Sequence, residues 1–231
     1  MPETLSILYE DNHLLVVDKP ALLATMGVST GETSLVTIAK DYLKKKYDKP
    51  GNVYLGVVSR LDSFVSGVTV LARTSKAAAR LNDQFRQSLV EKTYWAIVPD
   101  NLPAEEGRLI DRLVKDDARR RMITVESNDN RYEKGKEARL HYRVIGKHRD
   151  QCLLQINLET GRKHQIRVQL EAIGCPIVGD RKYDSPVRFR PGIALHSRRL
   201  KIIHPTLKKE MTFTSAPGDS WQLERFGELS N

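Results

Sequence analysis

Cysteine is scarce in this chain: Cys152 and Cys175 are the only two among 231 residues. Two scattered thiols make neither a disulfide framework nor a four-thiolate zinc site, which excludes small secreted scaffolds and zinc fingers. Long apolar runs are missing too; nothing approaches the ~20 residues that cross a bilayer. The Met1-Pro2-Glu3-Thr4 start lacks a basic-then-apolar leader. A reducing, cytoplasmic setting without membrane contact is expected. Several site motifs are absent as well: no G-x-x-x-x-G-K-[ST], G-x-G-x-x-G, H-E-x-x-H or G-x-S-x-G occurs. Gly27-Val28-Ser29-Thr30-Gly31 lacks the lysine of a phosphate loop and reads as a plain loop. The six histidines show no ligand spacing. Neither a metal nor a cofactor is expected.

What is present suits a folded core, with 40% hydrophobic and 29% charged residues. The length fits one domain, taken as residues 1–231, since no linker, repeat or low-complexity segment divides it. The net charge of +9 is unevenly spread. Between Thr160 and Lys209 stand twelve basic and three acidic residues, so this stretch carries the whole surplus and the remainder is neutral. Such concentration suits a patch facing a polyanion, with a solvated basic face as the plainer account.

Apolar periodicity places a hairpin at 7–10 and 14–18, a helix at 34–47 capped by Thr33 or Ser34, and strands at 53–58 and 67–72. A second helix starts near Ser75 with Ala78, Leu81, Phe85 and Leu89 at helical spacing. A strand follows at 93–98. The polar stretch 101–136 reads as a long excursion holding one short strand at 122–125. A hairpin spans 138–145 and 152–158, a helix runs from near Arg162 to Ile173 with Gly174 as its stop, and late strands fall at 193–203 and 211–214. Strands outnumber helices and hairpins dominate, which predicts an α+β fold on a mixed, mostly antiparallel sheet flanked by helices.

Two polar clusters stand out. Asp62 lies in the connection 59–66 between two apolar strands, a place where a scaffold can hold a reacting side chain; a turn aspartate is the plainer account. Thr160-Gly161-Arg162-Lys163-His164-Gln165-Ile166-Arg167 crowds cations onto the first turns of a helix, whose amide end is itself an anion site. Arg167 follows inward-facing Ile166, and burial would oblige it to find an acidic partner.

Ser59-Arg60-Leu61-Asp62-Ser63-Phe64-Val65-Ser66-Gly67 resembles the H-R-L-D-x-x-T-S-G signature of the RluA-type pseudouridine synthases. Four further blocks resemble theirs in the same order: Leu14-Leu15-Val16-Val17-Asp18-Lys19-Pro20, Glu91-Lys92-Thr93-Tyr94-Trp95-Ala96, Gly161 to Val168, and Leu195-His196-Ser197 with Ile203-His204-Pro205. Ser59 replaces the usual histidine and Val65 the usual threonine. The 21–26 segment departs from the family pattern, and Gln169 stands where histidine is frequent.

The resemblance implies an isomerase of RNA that breaks the N1–C1′ bond of uridine, turns the uracil and joins C5 to C1′, needing no cofactor. It makes Asp62 the attacking or proton-abstracting carboxylate and Arg167 the cation that keeps it ionised in a central cleft. Tyr94 would stack on the uracil, against the alternative of a core strand tyrosine. Arg60 would fill the space left by a flipped base. Arg162, Lys163, His164, Arg181 and Lys182 would contact the RNA, mainly at phosphates. The expected partner is ribosomal or transfer RNA, met by a monomer with no obligatory protein partner. The first matched strand begins near Ile7, so no preceding S4 domain is expected. The replacements at Ser59 and Val65 keep open a different class: an inactive RNA-binding or ribosome-assembly protein on the same fold.

Overall fold

The computed structural model describes residues 5–29 and 31–227. The Met1-Pro2-Glu3-Thr4 start, and Thr30 of the 27–31 loop, lie outside the described residues. In chain order the first elements are β1 (Ile7–Glu10), β2 (Leu14–Lys19), α1 (Leu35–Lys46), β3 (Gly56–Val57), β4 (Ser66–Ala72), α2 (Ser75–Arg86) and β5 (Glu91–Pro99). There follow β6 (Glu106–Asp116), β7 (Arg121–Val125), β8 (Lys136–His148), β9 (Gln151–Leu158), α3 (Gln165–Ala172), β10 (Leu195–Ile203) and β11 (Glu210–Thr214). Strand pairs flanked by helices are the α+β architecture that the sequence predicts. The chain forms two compact units, Met1–Glu91 with Ser197–Pro217, and Lys92–His196 with Gly218–Asn231.

In the first unit the strands run in the order β1-β2-β4-β10, with β11 on β10 and β3 beside the end of β4. β2 is covered on both faces, which is why its Leu14-Leu15-Val16-Val17 run does not alternate. Leu14 and Val16 pack with Val68, Val70 and Leu81 of α2. Leu15 and Val17 pack with Leu35, Ala39 and Leu43 of α1. Ser34 caps α1 by accepting the Thr37 N–H at 3.2 Å, and Thr74 caps α2 by accepting the Ala77 N–H at 3.1 Å. Two expectations need correction here. α2 stops at Arg86 because Ser88 turns left-handed (φ 56°), and Leu89 ends up exposed instead of on the helix face. The strand expected over 53–58 is only Gly56–Val57; Val53 and Leu55 reach the α1 core from irregular backbone.

In the second unit the order is β5-β9-β8-β6-β7, antiparallel throughout. The excursion at 101–136 is more regular than expected, for it contains the eleven-residue strand β6, paired with β8 on one side and β7 on the other. β6 is rich in charge and lacks a clean apolar face, so main-chain bonding on both edges makes it a strand where periodicity is silent. α3 is also shorter than expected. His164 takes a left-handed conformation (φ 55°), and the Gln165 side-chain oxygen accepts the Arg162 N–H at 3.0 Å and the Thr160 hydroxyl at 2.7 Å. Residues 162–164 therefore form a tight turn ahead of the helix. From Gln165 to Leu170 every side chain of α3 is buried, with Val168 packed against Leu113, Ala138 and Tyr183.

Candidate active site

Asp62 sits in the connection between β3 and β4, half-buried, with Arg60 exposed in the same loop. The loop is held on both sides of the carboxylate. Before it, the Thr25 hydroxyl donates to the Leu61 carbonyl at 2.8 Å and accepts the Leu61 N–H at 3.1 Å. Behind it, the Lys19 ammonium donates to the carbonyls of Leu23 (2.7 Å), Pro20 (2.9 Å) and Ser63 (3.5 Å). The Val65 N–H closes the turn onto the Asp62 carbonyl at 3.1 Å. Lys19 is wholly shielded from water. Burial pulls its ammonium down to about 7, against the charges of Asp62 and then Asp18, which pull it back up. Gly67 ends the loop at φ +111°, and a Cβ there would lie 2.7 Å from the Ser197 backbone nitrogen. Val65, in place of the family's threonine, points into the interior.

In the second unit, Tyr94 stands on β5 opposite Ile156 of β9 and is half-buried, whereas its neighbours Thr93 and Trp95 are buried. Arg167 is buried on α3, and the acidic partner that its burial demands is present. Its Nε and Nη2 donate to the two carboxylate oxygens of Asp180 at 2.6 and 2.8 Å, and its guanidinium lies 4.9 Å from the centre of the Tyr183 ring. Two bonds to one carboxylate fix both planes, which an ammonium could not achieve. His164 bonds the Tyr183 hydroxyl through Nδ1 at 2.8 Å, and that oxygen also accepts the Met122 N–H at 3.2 Å. Tyr183 thus ties the turn before α3 to β7.

The remaining basic residues fall into two groups. Arg181 and Lys182 are adjacent and exposed on a 3-10 turn, Arg181–Tyr183. Arg162 and Lys163 are exposed in the turn ahead of α3, where the Arg162 Nε donates to the Glu137 carbonyl at 2.9 Å. Behind them Lys92 is held below the usual lysine range, by burial first and then by the charge of Arg162. Sequence reasoning missed Lys19 and Asp180 as individual residues. Lys19 did leave a signal: it is a cation closing a strand that is otherwise apolar at four successive positions. Asp180 left none, since its partner lies thirteen residues away across a helix end and a loop.

Residues 13–172 match the family model described as RNA pseudouridylate synthase, a span that includes four of the five motif blocks. The chain is 37% identical over 221 residues to the dual-specificity RNA pseudouridine synthase RluA of Escherichia coli, covering 93% of this chain and 94% of that protein. It is 32% identical over 230 residues to ribosomal large subunit pseudouridine synthase D of Zymomonas mobilis, covering 95% of this chain and 71% of the relative. Among solved structures, Human RNA Pseudouridylate Synthase Domain Containing 4 matches with a TM-score of 0.79 at 26% identity, over 98% of this chain and 95% of that one. Such agreement along nearly the whole length means that this chain belongs to the RNA pseudouridine synthases and, among them, to the RluA type.

Proposed function

We propose that this protein converts uridine in ribosomal or transfer RNA to pseudouridine, with Asp62 as the reacting carboxylate. The observation that carries the assignment is the way the Asp62 loop is fastened, by Thr25 on one side and by the buried Lys19 on the other. A carboxylate held at the end of a rigid strand can meet a sugar carbon or a ribose proton in a fixed geometry. The N1–C1′ bond breaks, the uracil turns, and C5 bonds to C1′; C5 gives up its proton and N1 acquires one, so the reaction needs no outside reductant or oxidant. Tyr94 supplies a ring for the uracil face, and Arg167, locked in orientation by Asp180, supplies the fixed cation of the site.

A stacked uridine must leave the helix before it can react, at a cost of a few kcal/mol, and Arg60 occupies the space it vacates. Arg162, Lys163, His164, Arg181 and Lys182 hold the RNA, chiefly through phosphates, which position it without reading its sequence. Both units act together as one catalytic domain, and the protein works as a monomer in the cytoplasm. Two buried free thiols suit that compartment.

The test is release of tritium from C5-labelled uridine in cellular RNA, with no additive. Wild-type protein is expected to release it, and Asp62→Ala to lose turnover by at least about a thousandfold while binding RNA within a few-fold of wild type. Unchanged turnover by Asp62→Ala would overturn the role of the carboxylate. Binding without isomerisation by wild-type protein would make it an RNA-binding module instead.

A further inference from the structure

The 101–136 segment contains nine basic and eight acidic residues and is nearly neutral as a sequence. Folding sorts those charges. A pocket of about 580 Å³ in the second unit is lined by Lys115, Arg131, Lys134, Lys136, Arg162 and Lys163, and no acidic residue lines it. Leu113, Val114 and Met122 supply its apolar lining. Strand register explains the grouping. Leu113 lies opposite Lys136, and Lys115 opposite Met122, so all four side chains share one face of the sheet. α3 covers that face at Leu113 and Ala138. The exposed Arg162 and Lys163 of the turn ahead of α3 line the same pocket.

Two of the six cations have acidic neighbours: Lys115 pairs with Asp117, and Arg131 with Asp129. Among the described residues, Lys134, Lys136, Arg162 and Lys163 have no carboxylate partner. Gathering like charge with so little compensation is unfavourable in the absence of an anion.

We propose that this pocket binds the phosphodiester backbone of the substrate RNA. The assignment rests on the RNA-modifying reading above and extends it to a site contributed by the β6–β7 excursion. An extended chain of phosphates suits six cations spread round an open pocket better than one small anion does. Guanidiniums can grip phosphate oxygens in pairs, and the lysines act as point charges.

The test compares the Lys134→Ala/Lys136→Ala protein with wild type for binding of a fluorescein-labelled single-stranded RNA across a range of salt concentrations. Losing two phosphate contacts is expected to reduce the slope of log affinity against log salt by about 1.4, at about 0.7 per contact in single strands. Affinity at moderate salt is expected to fall by about tenfold. Lys134→Arg/Lys136→Arg is expected to keep the wild-type slope. Lys44→Ala/Lys45→Ala removes the same charge from the exposed end of α1 and is expected to change nothing. Equal loss in the two alanine variants would reduce the effect to net charge and overturn the proposal. So would displacement of the labelled RNA by inorganic phosphate as readily as by unlabelled RNA, which would make this a small-anion site. The two readings fail separately. Wild-type protein that isomerises uridine while the pocket variant keeps its full slope removes the pocket alone. Wild-type protein that never isomerises, while the pocket variant loses slope, removes the catalytic reading alone.

Discussion

Lys19 shows how a single side chain can organise a loop. Its ammonium reaches no water, and its described hydrogen bonds go to three main-chain carbonyls, one of them next to Asp62. An ammonium so placed costs free energy to keep charged, and its proton affinity falls accordingly. In the unfolded chain a lysine titrates near 10.4; in the fold Lys19 is pulled down to about 7. Between those values the unfolded state holds more protons than the native one, so stability rises with pH across that window. Urea-unfolding free energies measured from about pH 7 to about pH 10 are expected to show the rise in wild type and a flatter profile in Lys19→Met. Parallel profiles for the two proteins would show that Lys19 does not titrate in this way. Legibility at this scale depends on how far apart the partners lie. Asp62 and Arg167 could be picked out from motifs, whereas the Lys19 carbonyl cage and the Asp180 partner form only when distant turns close on them.

Among the elements, β4 shows most directly how packing constrains sequence. Its second residue, Gly67, has a positive φ and lies against the Ser197 backbone of β10. A side chain there meets main chain, which cannot move aside as a flexible side chain can. Gly67→Ala is therefore expected to lower stability by about 3 kcal/mol or more, read from the urea midpoint at unchanged m-value. A loss below about 1 kcal/mol would mean that the two strands part easily at this point. β2 and the cap of α1 were legible because their signals are local: a short apolar run, and a hydroxyl three residues ahead of an amide. β6 was not, because its partners β7 and β8 supply the pairing while its own residues alternate poorly. α3 was misjudged at its start for a related reason. Thr160 and Gln165 build a side-chain cap that draws residues 162–164 out of the helix, and the basic string alone gives no hint of it.

For the whole molecule, global unfolding is expected to govern access to the thiols. Cys152 and Cys175 are both free and buried. Burial, and then the nearby Asp100 carboxylate, push the Cys152 thiol up to about 12, and burial raises Cys175. Thiolate is the reactive form, so both should resist a disulfide reagent near pH 8 in the native state. They are expected to react together as urea passes the unfolding transition; rapid labelling of either thiol in native protein would reveal local opening of β9 or of the segment after α3. Charge tells a second story at this scale. The sequence locates a +9 surplus between Thr160 and Lys209, yet four of the six cations round the pocket come from the almost neutral segment before it.

The linear order of residues alone determined the family, the α+β class and most element positions. Each of these depends on short-range patterns: motif spacing, apolar period, capping and turn residues. Tertiary structure decided which acid neutralises the buried arginine, what fastens the Asp62 loop, and where the cations of a balanced segment gather. Those outcomes depend on desolvation and on pairing between residues far apart in the chain, and neither exists until the strands have closed.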